Sequence, residues 1–211
     1  RAFLVDWYFV DRTLISSTKY YPQISNQNNC IAQIVTSGPV SPYPEIMQGY
    51  VHAISSAKHQ ILMETPYFLP TEPVLFALKM AALRGVDVRL IVPQRSDARF
   101  VEWAGRSYLR EAADAGVQVW LYQEGFLHTK MMVVDDSLCT CGSTNVDFRS
   151  FENNFESNIF IYDEATVARF RHVFETDQSK AQQLTDMPQR MHPSFFKRLL
   201  ESLARLLAPL L

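Results

Sequence analysis

The sequence predicts an α/β domain: a mixed, mostly parallel sheet flanked by helices. Three observations carry this. Strand-like apolar runs alternate with helix-like segments from about the thirtieth residue onward. Two successive units share the form helix, glycine, V-x-V-x-L, first at Gly85-Val86 and again at Gly116-Val117. Such repeats are crossover units, in which a helix returns the chain to start a parallel strand. The composition also allows a core, because 47% of the 211 residues are apolar and 20% charged.

The elements follow in order. Residues 30–36 (CIAQIVT) read as a strand, closed by Gly38, Pro39, Pro42 and Pro44. Glu45 to Ala57 is a helix and Gln60 to Glu64 a second strand. Thr71 looks like the N-cap of the next helix, with Pro73 in its first turn and Gly85 just past its end. Val86 to Val92 is a strand, Asp97 caps a helix ending at Gly116, and Val117 to Tyr122 is a strand. Leu127 to Asp135, Ser137 to Cys141 and Ser157 to Tyr162 add three strands close together, before a helix over Glu164 to Gln178.

Residues 1–29 read as a connector, 30–178 as the catalytic domain, and 179–211 as a polar linker with an amphipathic helix of the same domain. Along that helix, Ser194 to Leu207, and its extension, the residues Phe196, Leu199, Leu200, Leu203, Leu206 and Leu210 recur at helical spacing. The first expectation is docking of this stripe on the core. The alternative is insertion into a lipid interface.

Charge and cysteines narrow the classes. Twenty Lys and Arg against 22 Asp and Glu give a formal net charge of −2, so no global basic field points to nucleic acid. No apolar run reaches the length of a membrane span. Cys30, Cys139 and Cys141 show no zinc spacing and read as buried thiols in a reducing compartment.

The chemistry concentrates in His128-Thr129-Lys130-Met131-Met132-Val133-Val134-Asp135, followed by Gly142-Ser143-Thr144-Asn145. Alternate strand residues share a face, so His128 and Lys130 point together. Asp135 lies an odd number of positions from His128, faces the other way, and is read as a brace. A neutral imidazole attacks phosphorus or moves a proton, and a neighbouring ammonium neutralises phosphoryl oxygens. Ser143 and Asn145 add a hydroxyl and an amide for phosphate oxygens. Glu156, at the mouth of the next strand, is the acid to orient the imidazole. No metal or other cofactor is needed. His52, His59, His172 and His192 carry no such neighbourhood and are read as packing or surface residues.

The H-x-K-x4-D pattern with G-S-x-N resembles the phospholipase D superfamily, at His128, Lys130, Asp135, Gly142, Ser143 and Asn145. Thr65-Pro66-Tyr67-Phe68-Leu69-Pro70, Ser96-Asp97, Gly125-Phe126-Leu127-His128, Asn154-Phe155-Glu156 and the ending Arg205 to Leu211 are similar to the C-terminal half of bacterial cardiolipin synthases. Asp6-Trp7 resembles the segment joining their two halves.

The resemblance implies a phospholipase D-like domain carrying one of two H-x-K-x4-D half-sites. The N-terminal half would be missing, consistent with a start at Arg1 rather than Met and with no second H-x-K. It implies phosphatidyl transfer from phosphatidylglycerol through a phosphohistidine, giving cardiolipin and glycerol. His128 is then either the nucleophile or the general acid/base. It also implies a bacterial inner-membrane association with the catalytic domain in the cytoplasm, and isolated material with little activity unless two copies pair as a homodimer. Tyr67, Phe68, Phe126 and Phe151 adjoin the site, where packing is the default and an acyl-chain entrance the alternative. The competing functions are phospholipid hydrolysis, a single-motif homodimeric nuclease, and a non-catalytic membrane-binding module.

Overall fold

The computed structural model describes residues 2–23, 25 and 30–210. Ile24, residues 26–29 in the Asn/Gln-rich stretch, and the two end residues lie outside the described set. The strands are β1 (Ala32–Ser37), β2 (Gln60–Glu64), β3 (Phe68–Leu69), β4 (Asp87–Pro93), β5 (Gln118–Tyr122), β6 (Met131–Val134), β7 (Leu138–Gly142), β8 (Val146–Asp147), β9 (Glu156–Ile161) and β10 (Ala181–Gln183). The α-helices are α1 (Ala2–Asp11), α2 (Glu45–Ser56), α3 (Glu72–Leu83), α4 (Arg99–Asp114), α5 (Glu164–Gln178), α6 (Pro188–Met191) and α7 (Phe195–Leu206).

Eight strands form one mixed sheet in the order β1-β9-β7-β6-β2-β4-β5-β10. Parallel pairing is narrower than the sequence pattern implies. In this sheet it is confined to β2-β4 and β4-β5, the strands joined by the two crossover helices α3 and α4, while β3 and β8 pair parallel in a separate two-stranded sheet. β6, β7 and β9 pair antiparallel with their neighbours. Apolar residues fill both faces of the sheet. One core takes Ile61, Met63, Met132 and Val134 with α2, α3 and α4; the other takes Leu62, Met131 and Val133 with Val167 and Phe174 of α5. The central strands are therefore buried on both sides, as a sheet between two helical layers requires.

Local signals explain most boundaries. Thr71 is the N-cap of α3, and Gly85 takes the left-handed φ of +89° just beyond Arg84. Gly116 repeats this after α4 at φ +100°. Four expectations are corrected. Asp97 does not cap α4: Ala98 holds that position, and Asp97 accepts a hydrogen bond from the Tyr67 hydroxyl at 2.9 Å instead. Residues 127–130 approach β6 without joining the ladder. The polar stretch 179–193 is not a free linker, because Ala181–Gln183 pairs with the exposed edge of β5. The connector holds a helix, α1, whose Phe9 ring lies 4.9 Å from that of Phe155. Cys139 is buried, Cys141 half-buried and Cys30 exposed, so the thiols are not uniformly interior.

The terminal helix docks, but not by its apolar stripe. Glu201 and Ala204 are its buried residues. Glu201 is paired with Arg110 of α4 at 2.6 Å and with Arg106 at 3.8 Å. No helix among the described residues is long and apolar enough to cross a membrane.

Candidate active site

The antiparallel and parallel pairings bring one set of chain ends together. β2, β4 and β5 run parallel, so their C-terminal ends share one edge of the sheet. β6 is antiparallel to β2 and starts there, with Met131 opposite Glu64. β7 ends there at Gly142, opposite Asn158 of β9. His128 and Lys130 before β6, Ser143 after β7 and Glu156 at the start of β9 therefore converge. Loops beyond the carboxyl ends of strands are where open α/β sheets place their ligands.

His128 is exposed and Lys130 half-buried. The Lys130 Nζ lies 3.2 Å from His128 Nε2 and donates to the His128 carbonyl at 3.1 Å. An ammonium has no lone pair, so Nε2 is the acceptor and the imidazole is in its Nδ1–H form in this arrangement. Burial lowers the Lys130 ammonium below its ordinary value, and the carboxylates of Glu156 and Asp147 oppose that shift. The Phe126 ring lies 5.6 Å from the imidazole and 6.0 Å from the Tyr67 ring.

Glu156 is bound within the same edge, though not to the imidazole. The Ser143 hydroxyl donates to it in a short hydrogen bond, and the Asn154 amide donates at 3.3 Å. Ser143 Oγ in turn accepts from the Ser157 amide at 3.0 Å. Gly142 makes this crossing possible, because a Cβ there would lie 2.2 Å from the Ser157 carbonyl oxygen. Asn145 is half-buried, and its Oδ1 is buried without a hydrogen-bond partner. It lines a hollow of about 310 Å³ with Tyr67, Asp97, Asp147, Arg149 and Asn154.

Asp135 is not part of this cluster. It sits at the opposite end of β6, where its carboxylate accepts from the backbone amides of Lys58, His59 and Gln60 at 2.8–2.9 Å. Those bonds hold its carboxyl below the usual aspartate range. Its φ of +50° marks the turn out of the strand. The strand-parity argument does not apply to it, because neither His128 nor Asp135 belongs to β6. The brace acts at the far end of the strand, not behind the imidazole.

Several residues of this edge carry no motif signal. Asp147 is 9% exposed and accepts from the Ser150 amide at 2.7 Å. The Thr65 hydroxyl accepts from the Val146 amide at 3.1 Å and donates to the Tyr67 carbonyl at 2.8 Å, tying the β2 loop to the loop that carries Asn145. Glu64, the last residue of β2, is 1% exposed, with a hydrogen bond from Thr129 acting to lower its pKa. Burial, with the Asp177 carboxylate adding to it, pushes Glu64 up to about 8. Of the aromatics expected beside the site, Tyr67 and Phe126 line its mouth, whereas Phe68 and Phe151 are core at 3% and 1% exposure.

Residues 50–178 match the family model described as cardiolipin synthase, PLD-like domain. A cardiolipin synthase of Clostridium perfringens strain SM101 is 43% identical over 99% of this chain and 45% of its own length. The major cardiolipin synthase ClsA of Bacillus subtilis is 39% identical over 99% of this chain and 44% of its own. The chain thus spans about half the length of these curated relatives.

Among solved structures, phosphatidylserine synthase of Haemophilus influenzae superposes with a TM-score of 0.70 at 17% identity, over 85% of this chain and 48% of its own. The phospholipase D family member Nuc of Salmonella typhimurium gives 0.63 at 22% identity, over 74% of this chain and 98% of its own. At those identities the likeness is one of fold. The match over residues 50–178 and the identity to curated synthases place this chain in the cardiolipin synthase family, as a phospholipase D-like domain.

Proposed function

We propose that the chain supplies one half-site of a phosphatidyltransferase that makes cardiolipin from two phosphatidylglycerol molecules. The observation that carries this is the His128–Lys130 pair, facing a hydroxyl, an amide and a carboxylate at one sheet edge without a second imidazole among them. In the first step one imidazole nitrogen attacks phosphorus and the P–O bond to the headgroup glycerol breaks. A second imidazole gives its proton to the departing oxygen. In the second step that imidazole takes the hydroxyl proton of another phosphatidylglycerol, whose oxygen attacks phosphorus and breaks the P–N bond. Splitting one displacement into two is the benefit of covalent catalysis.

Two imidazoles are needed, and this edge offers His128. The other comes from an N-terminal half like that of the twofold longer relatives, or from a second copy of this chain. Lys130 and Asn145 bind the phosphoryl oxygens, with Ser143 assisting. Glu156 holds Ser143 in place and is near enough to Lys130 to support its charge. His128 fills one of the two imidazole roles, and acid-labile labelling of His128 by radiolabelled phosphatidylglycerol assigns it as nucleophile. The expected location is the surface of a bacterial inner membrane, where the substrate resides.

Incubation with phosphatidylglycerol vesicles tests the half-site. Cardiolipin formation by material shown to be monomeric during turnover overturns it. Formation that rises with the square of chain concentration identifies pairing of two His128 residues.

A further inference from the structure

We propose that the outward face of α7 is a membrane-docking surface for an anionic lipid bilayer. The helix is amphipathic, and the structure turns its apolar side away from the protein. Phe195, Phe196, Leu199, Leu200, Leu203 and Leu206 are between 43% and 80% exposed. At 100° per residue they occupy one broad face; the buried Glu201 lies nearly opposite its centre and the buried Ala204 at its far flank.

Loose docking does not explain this orientation. Glu201 is 3% exposed and held by Arg110 at 2.6 Å and Arg106 at 3.8 Å. Arg205 bonds Glu111 at 2.7 Å, and its guanidinium lies 4.0 Å from the Tyr108 ring centre. Rolling the apolar face inward would break these ion pairs and leave Arg110, only 12% exposed, without its carboxylate partner. The polar contacts therefore fix which face looks outward.

The character of that face selects a bilayer as occupant. It carries no charged residue; the exposed Arg198 lies at its margin, and the exposed Lys197 lies at the start of the helix on the side of Ala204. The one acidic residue of the helix is the buried, paired Glu201, so what α7 shows to solvent is apolar and basic. This combination suits insertion to the acyl boundary with lysine and arginine at anionic headgroups. A second exposed apolar row, Phe76, Met80 and Leu83 on α3, lies on the same side of the sheet. Lys79 of α3 and Arg205 of α7 both bind Glu111, which ties the two helices into one layer. The choice of a bilayer rests on the phospholipid reading of the active site. The surface geometry does not.

Flotation of the whole chain with vesicles tests the proposal without any turnover. Wild type is expected to float with phosphatidylglycerol vesicles and at least tenfold less with phosphatidylcholine vesicles. Leu199→Ser/Leu203→Ser, checked for native circular dichroism, is expected to lose at least tenfold of the bound fraction. A double substitution of Lys197 and Arg198 to Gln should lower binding to the anionic vesicles alone. Failure of folded wild type to float overturns the proposal, as does unchanged flotation of the folded serine variant. A dimer in light scattering that the serine variant dissolves, with no flotation, assigns the face to a second copy instead. Glycerol 3-phosphate binding at His128, followed by NMR, separates the two readings: its loss with flotation intact refutes only the active-site proposal.

Discussion

The Nζ of Lys130 and the Nε2 of His128 stand 3.2 Å apart, which places an ammonium donor against an imidazole nitrogen. An incoming phosphate anion competes for that donor and frees the imidazole lone pair. Lys130→Met removes the charge and keeps most of the volume. A charged hydrogen bond contributes about 1.5–3 kcal/mol, so glycerol 3-phosphate affinity should fall about tenfold to a hundredfold. Calorimetric titration checks this, and an unchanged Kd would remove Lys130 from the phosphate site.

Asp135 belongs to the same motif and should behave differently. Its carboxylate collects three backbone amides of the segment entering β2 and touches nothing at the site edge. Asp135→Asn is expected to lower stability by about 2–3 kcal/mol and leave glycerol 3-phosphate affinity intact. The carboxyl is held below its unfolded value, so its contribution is present above the ordinary aspartate range and lost as pH falls through the folded value. Urea midpoints of variant and wild type should therefore differ at pH 7 and converge near pH 2. Lost phosphate binding with unchanged stability would make Asp135 a site residue after all.

Much of this was legible in the residues, and the failures share a cause. β2 and α5 fall at the limits their own patterns set, because a buried strand and a capped amphipathic helix are local signals. The His128–Lys130 pair was expected from strand parity, whereas the two meet in the segment before β6, through Lys130 Nζ. Contacts distant in sequence left no such trace. Asp97 reads as a cap until Tyr67, thirty residues away, claims it. Ala181–Gln183 reads as linker until the β5 edge pairs it. The α7 stripe reads as core-facing until Arg106 and Arg110 capture Glu201. Asp147 and the free Asn145 oxygen emerge only when β3 and β8 pair.

Gly142 is needed for closeness rather than for an unusual φ. A Cβ there would lie 2.2 Å from the Ser157 carbonyl and 2.3 Å from Asn158 Oδ1. Backbone on the neighbouring strand cannot swing aside, so Gly142→Ala must part β7 from β9 where Ser143 and Glu156 meet. A loss of about 2–3 kcal/mol is expected, the upper range for overpacking. Thermal unfolding measures it. A variant as stable as wild type would mean that the two strands separate freely at this edge.

Glu64 is a buried acid whose burial pushes it up to about 8 against an ordinary value of 4.5, with a hydrogen bond from Thr129 opposing. Between those two values the folded chain keeps a proton that the unfolded chain has released. Stability must then fall as pH rises across that window, by up to about 1.4 kcal/mol per pH unit from this group. It levels off above the folded value, where both states are ionised. Glu64→Gln keeps the shape and removes the titration, so its urea midpoint should stay nearly flat where the wild-type midpoint declines. The two proteins should differ most near pH 9, with the variant the more stable. Parallel decline of both from pH 5 to pH 9 would show that Glu64 is ionised in the folded state.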